Sequence, residues 1–148
     1  MNAQAIIDIL NGLLEAELIA LEYYRIHAAA IADKDIAEGV AAILPAEQSH
    51  AVNLAGRIRE LGGVPVDPAA GAIQRGKEMG EKTKRQGTLE MLRFELEQEQ
   101  QAIKEYAAPV ADITDDMVTL EILEEQLLDE MRHAKWLKKR ILEWEGRS

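Results

Sequence analysis

The chain contains no cysteine, and that single absence removes disulfides, zinc fingers, thiol redox chemistry and cysteine-ligated iron centres together. Aromatic residues are scarce, with one Phe, two Trp and three Tyr in 148 residues, and β-branched runs are missing, so nothing reads as a strand. No apolar stretch approaches the roughly 20 residues of a membrane span, and no charged segment followed by an apolar run opens the chain. Basic residues are outnumbered, 17 Lys and Arg against 27 Asp and Glu, for a formal charge of −10. With no basic tail or stripe to meet phosphates, direct nucleic-acid binding is not expected, nor a membrane partner. The expectation from these absences is a cytoplasmic protein forming one domain over residues 1–148, long enough to bury a core.

What remains is rich in alanine, leucine, glutamate and lysine, a composition for helices. Apolar periodicity predicts four long helices at about residues 3–31, 36–61, 88–111 and 117–144. Asp33-Lys-Asp35 is a short break, so the first two should be antiparallel neighbours. Gly62-Gly63 followed by Val64-Pro65 is a helix stop. The stretch 62–87 carries six glycines and two prolines and is the one long connection, with a short helix expected within it at Ile73 to Arg85. Thr114 or Asp115 is the expected cap of the last helix. Short loop, long crossover and short loop together give an all-α, ferritin-like four-helix bundle with its crossover between the second and third long helices.

The chemistry lies in two words, Glu47-Gln-Ser-His50 and Glu130-Met-Arg-His133, each placing a carboxylate and an imidazole on one face of a helix. The core stripes give them company. They run Leu10, Leu14, Glu17, Leu21, Tyr24 in the first helix; Val40, Ile43, Glu47, His50, Leu54 in the second; Leu92, Leu96, Glu99, Ile103, Tyr106, Val110 in the third; and Leu123, Leu127, Glu130, Ala134, Leu137 in the fourth. Each stripe carries one glutamate near its middle and is otherwise apolar, save for His50 in the second. In the third helix Glu95, Glu97 and Glu99 crowd together, and the phase of Leu92, Leu96 and Ile103 selects Glu99.

Four carboxylates buried together are severely costly unless compensated. Four carboxylates with two neutral imidazoles sum to −4, the charge that two divalent ions cancel. Mixed carboxylate and imidazole ligands suit iron or manganese, at the separation of about 3.5–4 Å usual for two-metal sites. The expected ligands are therefore Glu17, Glu47, His50, Glu99, Glu130 and His133. Tyr24 lies one step beyond Glu17, placed either to hydrogen-bond a ligand or to supply an electron, against the plainer alternative of core packing. Pro45 inside the second helix should kink or bulge it near Glu47, and His27, without an acidic partner three residues before it, reads as structural or interfacial. Trp136 and Trp144 are expected to pack between helices or subunits.

With these residues in place the chain resembles the ferritin-like superfamily, bacterioferritins in particular, over nearly its whole length. Leu10-Asn-Gly-Leu-Leu-Glu-Ala-Glu17-Leu with Tyr24 and His27 is similar to that family's first helix, Glu90-Met-Leu-Arg93 to its third, and Asp129-Glu130-Met-Arg-His133 with Trp136-Leu137 to its fourth. The resemblance implies that Glu17 and His50 hold one iron, Glu99 and His133 the other, and that Glu47 and Glu130 bridge them. It implies a di-iron ferroxidase in a homo-oligomer, oxidising Fe(II) with O2 or H2O2 for iron storage or detoxification. Gln48 stands where the family's haem methionine would be, and Ala42 and Ala46 where an inner-surface iron site would lie, so neither haem nor that site is expected. The chain stops at Glu145-Gly-Arg-Ser148 without a short fifth helix, which points to a smaller cage or a dimer rather than a 24-subunit shell. The alternatives are a rubrerythrin-like peroxide reductase or other di-iron or di-manganese oxidoreductase and, from another class, a structural helical assembly module.

Overall fold

The computed structural model describes residues 1–146. It is all helical: α1 (Ala3–Ala30), α2 (Lys34–Glu60), α3 (Ala72–Lys84), α4 (Thr88–Asp112) and α5 (Met117–Glu145), with a 3-10 turn at Pro68–Ala70 before α3. No helix among the described residues is long and apolar enough to cross a membrane. Arg147 and Ser148, which end the expected tail, lie outside the described residues.

Local chemistry sets the boundaries. Asn2 caps α1 by accepting from Ala5 N at 2.8 Å, and Asp33 caps α2 by accepting from Ile36 N at 3.1 Å. The cap of α5 is Asp116 rather than Thr114 or Asp115. Its carboxylate accepts from Thr119 N at 3.0 Å and is also gripped by Arg57 of α2 at 2.9 Å. A tertiary cation thus chooses among three adjacent candidates, which local pattern alone does not do. At the end of α2, Gly62 adopts φ 88° while Gly63 N donates back to Ile58 O at 2.9 Å, a left-handed stop that glycine makes without strain. α2 runs unbroken through Pro45, whose ring faces outward.

The crossover is built rather than slack. Asn11 of α1 clamps its extended part, accepting from Val66 N at 2.8 Å and donating to Val64 O at 3.1 Å. α3 then lies against α1 through Gly76 and Gly80; a Cβ at Gly76 would fall 2.4 Å from Ile19 O. The four long helices pack chiefly as the pairs α1 with α2 and α4 with α5, and the pairs close on each other along α1 to α4 and α2 to α5. On the latter seam Gly39 leaves room for the Trp136 ring, whose Cζ2 would lie 2.0 Å from an added Cβ.

The apolar core falls into two halves. One is built on Leu10, Leu14, Leu54, Ile58, Tyr106 and Leu123, the other on Tyr24, Ile36, Val40, Ile43, Leu92 and Leu137. Burying each aliphatic side chain contributes about 1.5–3 kcal/mol, and these two blocks fix the depth of what lies between them. In α4 the stripe differs from expectation: Met91, Leu92, Glu95, Glu99 and Tyr106 are buried, while Leu96, Ile103 and Val110 are only half-buried. The face turned inward is set by packing on α1, α3 and α5 together, and α3 was the partner that the pattern could not weigh.

Candidate metal centre

Between the two halves of the core the helices deliver Glu17 from α1, Glu47 and His50 from α2, Glu99 from α4, and Glu130 and His133 from α5. Five are buried and His133 is 14% exposed. Glu17, Glu47, His50 and Glu130 each offer one ligand atom, all within 4.8 Å of one another; Glu47, Glu99, Glu130 and His133 do the same. The two sets share Glu47 and Glu130. All six expected ligands therefore converge, in two overlapping groups of four.

The contacts inside this cluster are those of anions held apart by imidazoles. His50 Nδ1 lies 3.0 Å from Glu17 Oε2 and 3.1 Å from Glu130 Oε1; His133 Nδ1 lies 3.2 Å from Glu47 Oε1 and 3.6 Å from Glu99 Oε1. Even so, Glu47 Oε1, Glu99 Oε2, Glu130 Oε1 and His133 Nδ1 find no hydrogen-bond partner. Buried polar atoms without partners are rare in native proteins, and four converging on one space is the arrangement of a ligand cage. The donor set of carboxylate oxygens and imidazole nitrogens fits two divalent first-row ions.

Electrostatics agree. Burial drives the Glu17 carboxyl well above its ordinary range, and Glu47 adds to it. Burial lifts Glu99 to about 7 although His133 pulls the other way, and burial raises Glu130 also. Burial alone would lower both histidines, but Glu130 and Glu17 outweigh it at His50, pushing it to about 11, and Glu47 and Glu99 push His133 to about 10. Each shift favours the protonated form, as expected where buried carboxylates crowd one another.

Around the cluster, Tyr24 takes the hydrogen-bonding role: its hydroxyl donates to Glu99 Oε1 at 2.5 Å, fixing that carboxylate from α1. Tyr106, in the same position relative to Glu99 as Tyr24 to Glu17, accepts instead from Gln126 Nε2 at 2.9 Å. Two buried or half-buried acids were not assigned a role from the sequence. Asp129, directly before Glu130, accepts from His50 Nε2 at 2.8 Å; its position beside a ligand was the available signal. Glu95, fully buried, sits 2.5 Å from His27 Nδ1, while His27 Nε2 meets Thr83 Oγ1 of α3 at 2.6 Å. His27 is thus structural and wholly enclosed, with its acidic partner on another helix. A cavity of about 110 Å³ between α1 and α4 is lined by Glu17, Glu47, Glu99 and Glu130 at depth and by Gln101 and Glu105 at the surface.

The fold has known counterparts. The chain is similar over 99% of its length, at 25% identity and a TM-score of 0.81, to 89% of the dodecameric thioferritin of Bacteroides fragilis, described as a bacterioferritin-related protein. It is similar with the same identity and TM-score, over all of its own length and 89% of the other chain, to the bacterioferritin of Rhodobacter capsulatus, whose structure has a metal-free dinuclear site and a haem iron. No curated protein sequence matches it. The family model of the ferritin-like domain matches residues 7–145. With that match spanning nearly the whole chain and the bundle topology in agreement, the chain belongs to the ferritin-like family, and its fold is that of the bacterioferritins.

Proposed function

We propose that the chain is a di-iron ferroxidase, with Glu17, Glu47, His50, Glu99, Glu130 and His133 as the residues that hold two ferrous ions as substrate. The observation that carries this reading is the convergence of six ligand atoms in two sets sharing Glu47 and Glu130, four of their polar atoms otherwise unpartnered. Glu17 and His50 serve one ion, Glu99 and His133 the other, and the shared glutamates span both. Manganese would be accepted by the same donors.

The site supports the following chemistry. Each ferrous ion gives up one electron, and the pair together reduces one oxidant: O2 with two protons to H2O2, or H2O2 with two protons to two waters. The cavity between α1 and α4 has room for either molecule and reaches the carboxylates directly. Binding of the ions displaces protons from His50, His133 and the raised carboxyls, so loading is favoured as pH rises. Tyr24, donating to Glu99, holds that carboxylate still while the charge on the metals changes. The dodecameric state of the similar Bacteroides fragilis protein supports a homo-oligomer here, with iron storage or detoxification as its purpose.

The test is iron retained per chain after excess ferrous ion is added in air and unbound ion is removed. Retention far above two per chain means a mineral-storing cage. Retention near two keeps the centre and moves its purpose to oxidant removal. Retention near zero, together with no acceleration of ferrous oxidation, would sink the proposal.

A further inference from the structure

α2 and α5 carry the same word, and each histidine addresses the other helix's glutamate: His50 Nδ1 lies 3.1 Å from Glu130 Oε1, and His133 Nδ1 lies 3.2 Å from Glu47 Oε1. The two halves of the centre are near copies. Besides the Tyr24 hydroxyl on Glu99, they differ behind the histidines, one residue before each glutamate. Before Glu130 stands Asp129, which accepts from His50 Nε2 at 2.8 Å and is itself fixed through its other oxygen by Arg132 at 3.0 Å. Before Glu47 stands Ala46, whose methyl group accepts nothing. No carboxylate among the described residues stands behind His133, and its side chain is 14% exposed against 2% for His50.

A metal-binding histidine whose far N–H is held by a carboxylate is fixed in tautomer and rotamer and is a stronger donor; removing such a partner typically weakens metal binding by about 10- to 100-fold. We infer that the two ion positions are built unequal: Asp129 makes the His50 position the one that fills first and holds, and Ala46 leaves the His133 position weaker and exchangeable. The inference rests on the dinuclear reading above and adds to it an order of filling. Asp129 is a positioning residue, acting on the metal only through His50.

Cobalt(II), whose visible absorption reports its coordination, is the probe, titrated into the metal-free protein at fixed pH. Repulsion between two bound ions also separates the steps, so the variants carry the test. Asp129→Ala should weaken the first step by about 10- to 100-fold and leave the second nearly unmoved. Ala46→Asp should tighten the second step by a similar factor and leave the first. Ala42→Asp, one turn away on α2, adds the same charge without reaching His133 and should move both steps little and alike. If Ala46→Asp behaves as Ala42→Asp does, the inequality is overturned while the two-ion centre stands. If Asp129→Ala does not fold, as judged by circular dichroism, Ala46→Asp decides alone. Binding of fewer than two cobalt ions by the parent protein would overturn the dinuclear reading and this inference with it.

Discussion

Glu95 shows what becomes of a carboxyl that burial isolates from any cation. Burial drives it well above its ordinary range, with Glu99 adding to the shift, and burial lowers His27 to about 4, so both shifts favour the uncharged acid and the uncharged imidazole. The Glu95 O–H then donates to Nδ1, the Nε2–H donates to Thr83 Oγ1, and the Thr83 hydroxyl donates to Met79 O at 2.8 Å. Glu95→Gln can keep this chain, since an amide N–H also donates to Nδ1, and should change stability by less than about 1 kcal/mol. Glu95→Ala leaves a cavity and an unpaired nitrogen and should cost about 2–4 kcal/mol in urea denaturation. At this scale the four cage glutamates were legible because each breaks an otherwise apolar stripe, and His50 and His133 because each follows one of them by three residues. Glu95 was not, because one of three alternating glutamates reads as solvent-facing, and only the arrival of His27 and Thr83 from other helices makes it interior.

Among the elements, α3 separates what pattern reveals from what packing decides. A helix at Ile73 to Arg85 was expected within the crossover, and it runs at Ala72–Lys84 with glycines at 76 and 80. They are its contact surface: a Cβ at Gly76 meets the Ile19 carbonyl at 2.4 Å, and one at Gly80 meets Ile26 at 2.8 Å. Backbone cannot yield as a flexible side chain does, so Gly76→Ala should lower stability by about 1–3 kcal/mol and loosen α3 in hydrogen exchange. Gly12→Ala is the contrasting case. That glycine lies within α1 with nothing near the added methyl, and the substitution should raise stability by roughly 0.5–1 kcal/mol, the ordinary gain of alanine over glycine in a helix. The four long helices were readable from periodicity because each presents one apolar face to one core; the cap at Asp116 and the clamp at Asn11 were not, because their partners lie some 50 residues away or more.

For the whole molecule, the shifted groups make an unusual prediction about pH. Glu17, Glu95, Glu99 and Glu130 are raised in the fold, so the stability they contribute is complete below about 4.5 and is lost as pH rises through their folded values. His50 and His133, raised to about 11 and 10, contribute fully below about 6.5 and lose it as pH climbs toward those values. His27, lowered to about 4, acts oppositely and alone, contributing above 6.5 and losing it as pH falls. The metal-free protein should therefore melt at a lower temperature at pH 8 than at pH 5.5, its stability falling by about 1.4 kcal/mol per pH unit for each net proton released on unfolding. Divalent metal should raise the melting temperature most at pH 8, where the ligands have fewest protons to shed; a metal-free protein most stable at pH 8 would contradict the burial of these acids. The Trp136 ring seated in the notch at Gly39 gives such experiments a built-in instrument. It stands one turn beyond His133 on the seam joining the two Glu-x-x-His helices, so its fluorescence is placed to register any change in their spacing, and loading of the centre becomes visible as emission from a native residue without an added dye.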